Sequence, residues 1–200
     1  MGVVDNDLDF AGTVHDCIVI DLTGALIGPA YSRTTSCADQ PGQRVQAKIT
    51  SLQSGPVRTD LTALCRLIRA QSPHPRIVVV SCPKFFPAGG SEGCSSMRAS
   101  DPVWMNNMIV LADNVIATEA ASPGLEISNL ATVMVGFAQC TSTPGLNSIV
   151  GTGASETFHP NAFGHVLIAS QIERTIAAPL EPTFSILPKQ TVTKTFVVKG

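Results

Sequence analysis

The order of elements read along the chain is helix, strand, helix, strand, helix, which predicts an α/β fold with a parallel sheet and helices on both faces. Two stretches carry most of that reading. Arg76-Ile77-Val78-Val79-Val80-Ser81-Cys82 is a continuous β-branched run stopped by Pro83, the pattern of a parallel strand buried on both faces and so of a central one. From Ser100, placed to cap a helix and with Pro102 in the first turn, Trp104, Met108, Leu111 and Val115 recur at helical spacing to about Ala121.

The other elements follow in order. Leu8, Phe10, Val14, Cys17 and Ile18 have helical spacing, after which Gly24, Gly28 and Pro29 open a long loop running to Gly42. Val45, Ile49 and Leu52 predict a short helix, and Leu61, Leu64, Cys65 and Ile68 a second one after Gly55-Pro56, forming one helical layer. Residues 83–100 carry prolines and glycines and are expected to be loop. Ser122-Pro123-Gly124 ends the long helix, and a strand is expected over Leu125 to Val135, although Glu126, Ser128 and Asn129 interrupt it. After a Gly/Thr/Ser-rich loop at 141–155, a helix opened by Pro160 is expected to bury Phe163, Val166, Leu167 and Ile172, while Trp104 and the methionines near it should be core. Residues 1–180 thus read as one domain and 181–200 as a β-prone tail or linker.

Composition limits the function. The 200 residues are 44% hydrophobic and only 14% charged, enough apolar material for one compact core. Thirteen basic and 15 acidic residues give a formal charge of −2 without a basic run, so nucleic acid and anionic membranes are not expected partners. A small or uncharged substrate is expected instead. No apolar stretch approaches the roughly 18 residues of a membrane span. The start, Met1-Gly2-Val3-Val4-Asp5-Asn6-Asp7, lacks the basic and apolar segments of a secretory signal.

The six cysteines, Cys17, Cys37, Cys65, Cys82, Cys94 and Cys140, form no CxxC and no zinc-type cluster. No metal is therefore expected. Cys37 and Cys94 lie in loop-like stretches and Cys140 follows an apolar segment, so disulfides are expected, with Cys17–Cys37 and Cys94–Cys140 favoured. Six reduced, mostly buried thiols in a cytosolic protein are the alternative, and for Cys65 and Cys82 a third bridge and two buried thiols remain equally open.

Chemistry concentrates near the carboxyl end. In Glu156-Thr157-Phe158-His159-Pro160-Asn161-Ala162-Phe163-Gly164-His165 a carboxylate precedes a histidine by three residues, on a turn leading into a helix. An imidazole fixed at a helix entrance, with an acid to hold its tautomer, is how a general base is presented to a hydroxyl nucleophile. The plainer alternatives are a helix-capping His159 and a Glu156 that favours the helix N-terminus. His165 would lie on another helical face, and His15 and His74 read as loop histidines. Gly89-Gly90-Ser91-Glu92-Gly93 matches a nucleophile-elbow pattern, but the serine lies well past the strand that such an elbow requires, so it reads as ordinary loop. Ser155 reads as a turn residue.

Three blocks together resemble the SGNH hydrolases, the GDSL-type lipases and esterases, in their secreted actinobacterial-type branch. Val4-Asp5-Asn6-Asp7-Leu8-Asp9-Phe10-Ala11 resembles the family's Gly-Gly-Asn-Asp-Leu-Gly-Phe block, Val78-Val79-Val80-Ser81-Cys82-Pro83-Lys84-Phe85-Phe86-Pro87 its strand ending in a Pro-Arg-Phe-Pro-like loop, and Glu156 to His165 its last block. The resemblance implies a three-layer flavodoxin-like fold, extracellular location, and hydrolysis of lipid or other acyl esters through an acyl-enzyme without a cofactor. It assigns His159 as base, Glu156 as the acid, where the family often has an aspartate, and Asn6 as oxyanion donor. A monomer is expected.

Two departures accompany it. The family's nucleophilic serine lies in a Gly-Asp-Ser motif upstream of the asparagine block, and this sequence contains none. By this likeness the chain begins at the end of the family's third strand, so its parallel sheet is expected to be incomplete at the N-terminal side and its isolated activity poor or absent. Asp5 also replaces the glycine before the asparagine, and a carboxylate there would oppose an oxyanion. An ester hydrolase is the leading expectation; a non-catalytic binding module and an inactive fragment of the same fold are the alternatives.

Overall fold

The computed structural model describes residues 44–89, 100–147 and 158–179. Helix α1 spans Arg44–Ser54 and α2 Pro56–Gln71, followed by strand β1 (Val78–Val80), helix α3 (Ser100–Ala121), strand β2 (Glu126–Ser128) and helix α4 (Ala162–Ala177). Gly55 makes the corner between α1 and α2, where an added Cβ would lie 2.7 Å from the Ser51 Cα. Pro56 at the first helical turn needs no N–H partner.

β1 and β2 pair in parallel, with Val78 opposite Glu126, Val79 opposite Ile127 and Val80 opposite Ser128. Strand alternation sorts their side chains. Ile77, Val79 and Ile127 pack against the core formed by Leu52, Leu61, Cys65, Ala112, Ile116, Ala120 and Leu125, so α1, α2 and α3 cover one face. On the other face Thr175 of α4 donates to the Ser128 hydroxyl at 3.0 Å. The described residues therefore form three layers, helices on sheet on helix.

Arginines tie the layers at their ends. Arg76 pairs with Glu126 at 2.6 Å and donates to the carbonyls of Thr175 at 2.8 Å and Ala178 at 3.1 Å, and also to that of Ile176, at the end of α4. The hydrogen bond from Arg76 holds the Glu126 carboxyl below the usual range. Arg58 donates to Glu119 at 2.8 Å and Thr62 does so at 2.6 Å. The Thr62 hydrogen bond, helped by Arg58, holds the largely buried Glu119 low as well.

Several expectations are corrected. β1 is not buried on both faces: Val78 and Val79 are half-buried and Val80 is 42% exposed. In the described sheet β1 has only β2 beside it, so it is not central there, and α4 packs on β2. The strand expected over 125–135 closes after Ser128. The Ser81 hydroxyl takes the Leu130 amide at 2.9 Å, the Asn129 side chain takes the Ala131 amide at 2.9 Å, and three-residue turns follow through Phe137.

The buried face of α3 is Met105, Ile109, Ala112, Ile116 and Ala120, while Trp104, Met108, Leu111 and Val115 are half-buried. In α4, Phe163 and Val166 are exposed rather than buried, and Gly164 is the residue packed inward. Cys65 and Cys82 are thiols, so the third bridge does not form. Cys140 is disulfide-bonded. The pairings Cys17–Cys37 and Cys94–Cys140 each involve residues outside the described ones, as do the helix expected over 8–20 and the tail from 181.

Candidate active site

The loop after β1 forms the floor. Asp113 of α3 accepts the Cys82 amide at 3.0 Å. One turn pair earlier on the same helix, Asn106 accepts the amides of Phe85 and Phe86, each at 3.2 Å, and donates to the Phe86 carbonyl at 2.8 Å. Two buried polar side chains of α3 thus fix the main chain just beyond the carboxyl end of β1. These bonds offset part of the cost of their burial.

Phe158 docks on that floor. Its ring stacks on Phe85 with centroids 5.6 Å apart and meets Phe86 edge-on, also at 5.6 Å. Phe158 has φ 63°, an uncommon conformation for a bulky residue that persists where surroundings over-determine it. The surroundings do so by hydrogen bonds: Phe158 N–H donates to the Asn147 carbonyl at 3.2 Å, and Asn147 N–H donates to the His159 carbonyl at 2.8 Å. Leu146 and Pro160 complete a short antiparallel bridge.

Helix α4 starts immediately afterwards. Asn161 is its N-cap, accepting the Gly164 amide at 2.9 Å, and its Nδ2 donates to the Pro144 carbonyl at 2.8 Å. The helix opens at this asparagine rather than at Pro160. Gly164 lies against Gly145 so closely that an added Cβ would stand 1.9 Å from the Gly145 oxygen.

His159 therefore sits at a main-chain position fixed from both sides, near the carboxyl end of the parallel strands, where open α/β sheets place their sites. Its ring is half-buried, and its Nδ1 is buried without a hydrogen-bond partner among the described residues. A buried imidazole nitrogen left unpaired is costly. Glu156 and Asn6 lie outside the described residues, as do Ser91 and Ser155, so of the three expected site residues only His159 can be placed. His165 is exposed on α4 and His74 is exposed before β1.

Asn106, Gln139, Asn147 and Asn161 escaped the sequence reading. Asn161 carried a usable signal, an N-cap type residue just after a proline and three before a glycine; the others lie where polar residues are common and leave no pattern. Among the described residues no group of three or more His, Cys, Asp or Glu side chains could hold a metal, and no helix is long and apolar enough to cross a membrane. A surface depression of about 380 Å³, lined by Arg58, Asn107, Leu111 and Asn114 among others, lies on α1 to α3 and involves none of the residues around His159.

No protein-family model matches the chain. It is 23% identical over 159 residues to Lipase 1 of Streptomyces coelicolor, a match covering 80% of this chain and 52% of that protein. The extracellular lipase of Streptomyces rimosus superposes with a TM-score of 0.65 at 22% identity, covering 86% of this chain and 65% of the other. Phospholipase A1 of Streptomyces albidoflavus gives a TM-score of 0.68 at 21% identity with the same coverages. The chain thus spans about half the length of the curated relative it matches. It has the α/β fold of these Streptomyces lipases and phospholipase and resembles the SGNH-type hydrolases over most of its length.

Proposed function

We propose that this chain supplies the base side of an extracellular ester hydrolase of the SGNH type, acting on lipid or other acyl esters. The observation that carries the reading is the buried, unpaired Nδ1 of His159 at the carboxyl end of the sheet. A carboxylate on Nδ1 would hold the proton there and leave Nε2 to accept one. Glu156 is assigned to that position and Asn6 to the oxyanion.

The chemistry follows from those roles. A hydroxyl nucleophile gives its proton to Nε2 as its oxygen bonds to the ester carbonyl carbon, and the departing alkoxide takes that proton as the acyl–oxygen bond breaks. Water then repeats the sequence on the acyl-enzyme, releasing the acid. The sequence holds no Gly-Asp-Ser to furnish that hydroxyl, so in this chain alone His159 is assigned to activating water, at a low rate. Nucleic acid has no role in this reading, and disulfides suit the extracellular location.

Initial rates with a short-chain p-nitrophenyl ester test it. Replacing His159 by alanine should lower hydrolysis above the buffer rate by about 10²–10⁴-fold, the usual share of a general base. Equal rates for the two proteins would sink the catalytic reading and favour a binding module.

A further inference from the structure

Gln139 is only 4% exposed although it lies in a turn-rich segment. Its main-chain N–H donates to the Phe85 carbonyl at 2.8 Å, and the Phe85 ring stacks on Phe158. Its side-chain Nε2 donates to the Asn147 carbonyl, the same oxygen that accepts the Phe158 amide at 3.2 Å. Asn147 in turn donates its own amide to the His159 carbonyl. One buried residue therefore joins the aromatic floor beneath Phe158 to the bridge that holds His159.

Phe158 needs such restraint, because its left-handed backbone has no intrinsic preference for a bulky side chain. A buried carboxamide has surrendered its solvation and is held to the geometry that pairs it. We propose that Gln139 is a positioning residue for His159, transmitting the placement of the floor to the imidazole through Asn147; its catalytic consequence rests on the reading of His159 as base. A residue serving only the stability of its own turn would not be linked to both supports of Phe158-His159.

The test uses the whole chain in four forms for rates: wild type, Gln139→Leu, His159→Ala and the double variant. Thr62→Val serves as control, since it removes a hydrogen bond to Glu119 in another part of the protein. Imidazole signals of His159 are followed by ¹⁵N-edited NMR. Gln139→Leu should shift and broaden them, whereas Thr62→Val should lower stability and leave them in place.

In ester hydrolysis Gln139→Leu should lower kcat on the order of 10²-fold with little change in KM, and nothing further should be lost on a His159→Ala background. His159 signals unaffected by Gln139→Leu would overturn the proposal. Unchanged hydrolysis in His159→Ala would instead remove the base reading, while the NMR comparison still decides the positioning role. Should Gln139→Leu not fold, Gln139→Met replaces it; loss of a cooperative melt in both would overturn a role directed at His159.

Discussion

Replacing Gly164 by alanine is a perturbation whose sign distinguishes local helix preference from the packing described above. Gly164 is the third residue of α4, and on helix propensity alone alanine should stabilise by about 1 kcal/mol. The added Cβ would stand 1.9 Å from the Gly145 carbonyl oxygen, and real contacts essentially never fall below 3.0 Å. The helix start and the 144–147 loop must therefore separate by at least about 1.1 Å, the difference between those two distances. That movement stretches the Asn161 amide bond to Gly145, now 3.0 Å, and the Asn161 side-chain bond to Pro144, now 2.8 Å.

Losing two such bonds costs about 2 kcal/mol, and overpacking adds about 1–3 kcal/mol. After the helix gain, the net loss is about 2–4 kcal/mol. Urea unfolding followed by circular dichroism measures it as a lower midpoint at unchanged slope. A variant as stable as the parent, or more so, would refute the tight contact and with it the account of how His159 is held.

Three further outcomes are expected. Asn106→Ala removes its three bonds to the main chain of Phe85 and Phe86, so urea unfolding should show a loss of about 3 kcal/mol, and Phe158 amide exchange should quicken; slow exchange at Phe158 would contradict the floor's role. The Glu119 carboxyl is held low in the fold by Thr62 and Arg58, so its contribution is complete above the ordinary carboxyl range near about 4.3 and fades as pH falls through the lower folded value. Melting curves between neutral and acid pH should accordingly fall less steeply for Glu119→Gln than for the parent, and identical slopes would count against this pairing. Burial pushes the Cys65 thiol up, with Glu119 adding to the effect, so iodoacetamide should label it only after unfolding; rapid labelling of the native protein would contradict its place in the core.

What the sequence disclosed follows from which forces leave a pattern. Gly55-Pro56, Ser100 and Pro102 are punctuation with a local cause, and they locate α2 and α3 well. The buried face of α3 was shifted because apolar residues surround that helix, leaving periodicity no contrast to select Met105 over Trp104. In α4 the inward residue is a glycine, which adds nothing to a hydrophobic stripe, while Phe163 turns outward against Phe137, 5.0 Å between centroids. The short β2 could not be bounded because the hydroxyl of Ser81, 49 residues away, captures the Leu130 amide. The position of His159 just before a helix was legible from its neighbours, whereas the residues that hold it, Asn106, Gln139 and Asn147, act through backbone groups distant in sequence.

The central proposal is that His159 serves as a base, with an acid assigned to its buried Nδ1 and its Nε2 left for the nucleophile. Long-range ¹⁵N–¹H correlation spectra of the neutral ring report directly which nitrogen carries the proton. The account predicts the proton on Nδ1, with its signal altered by Glu156→Gln. A proton on Nε2 with Nδ1 bare would contradict it, because such a ring cannot take the nucleophile's proton through the nitrogen assigned to do so.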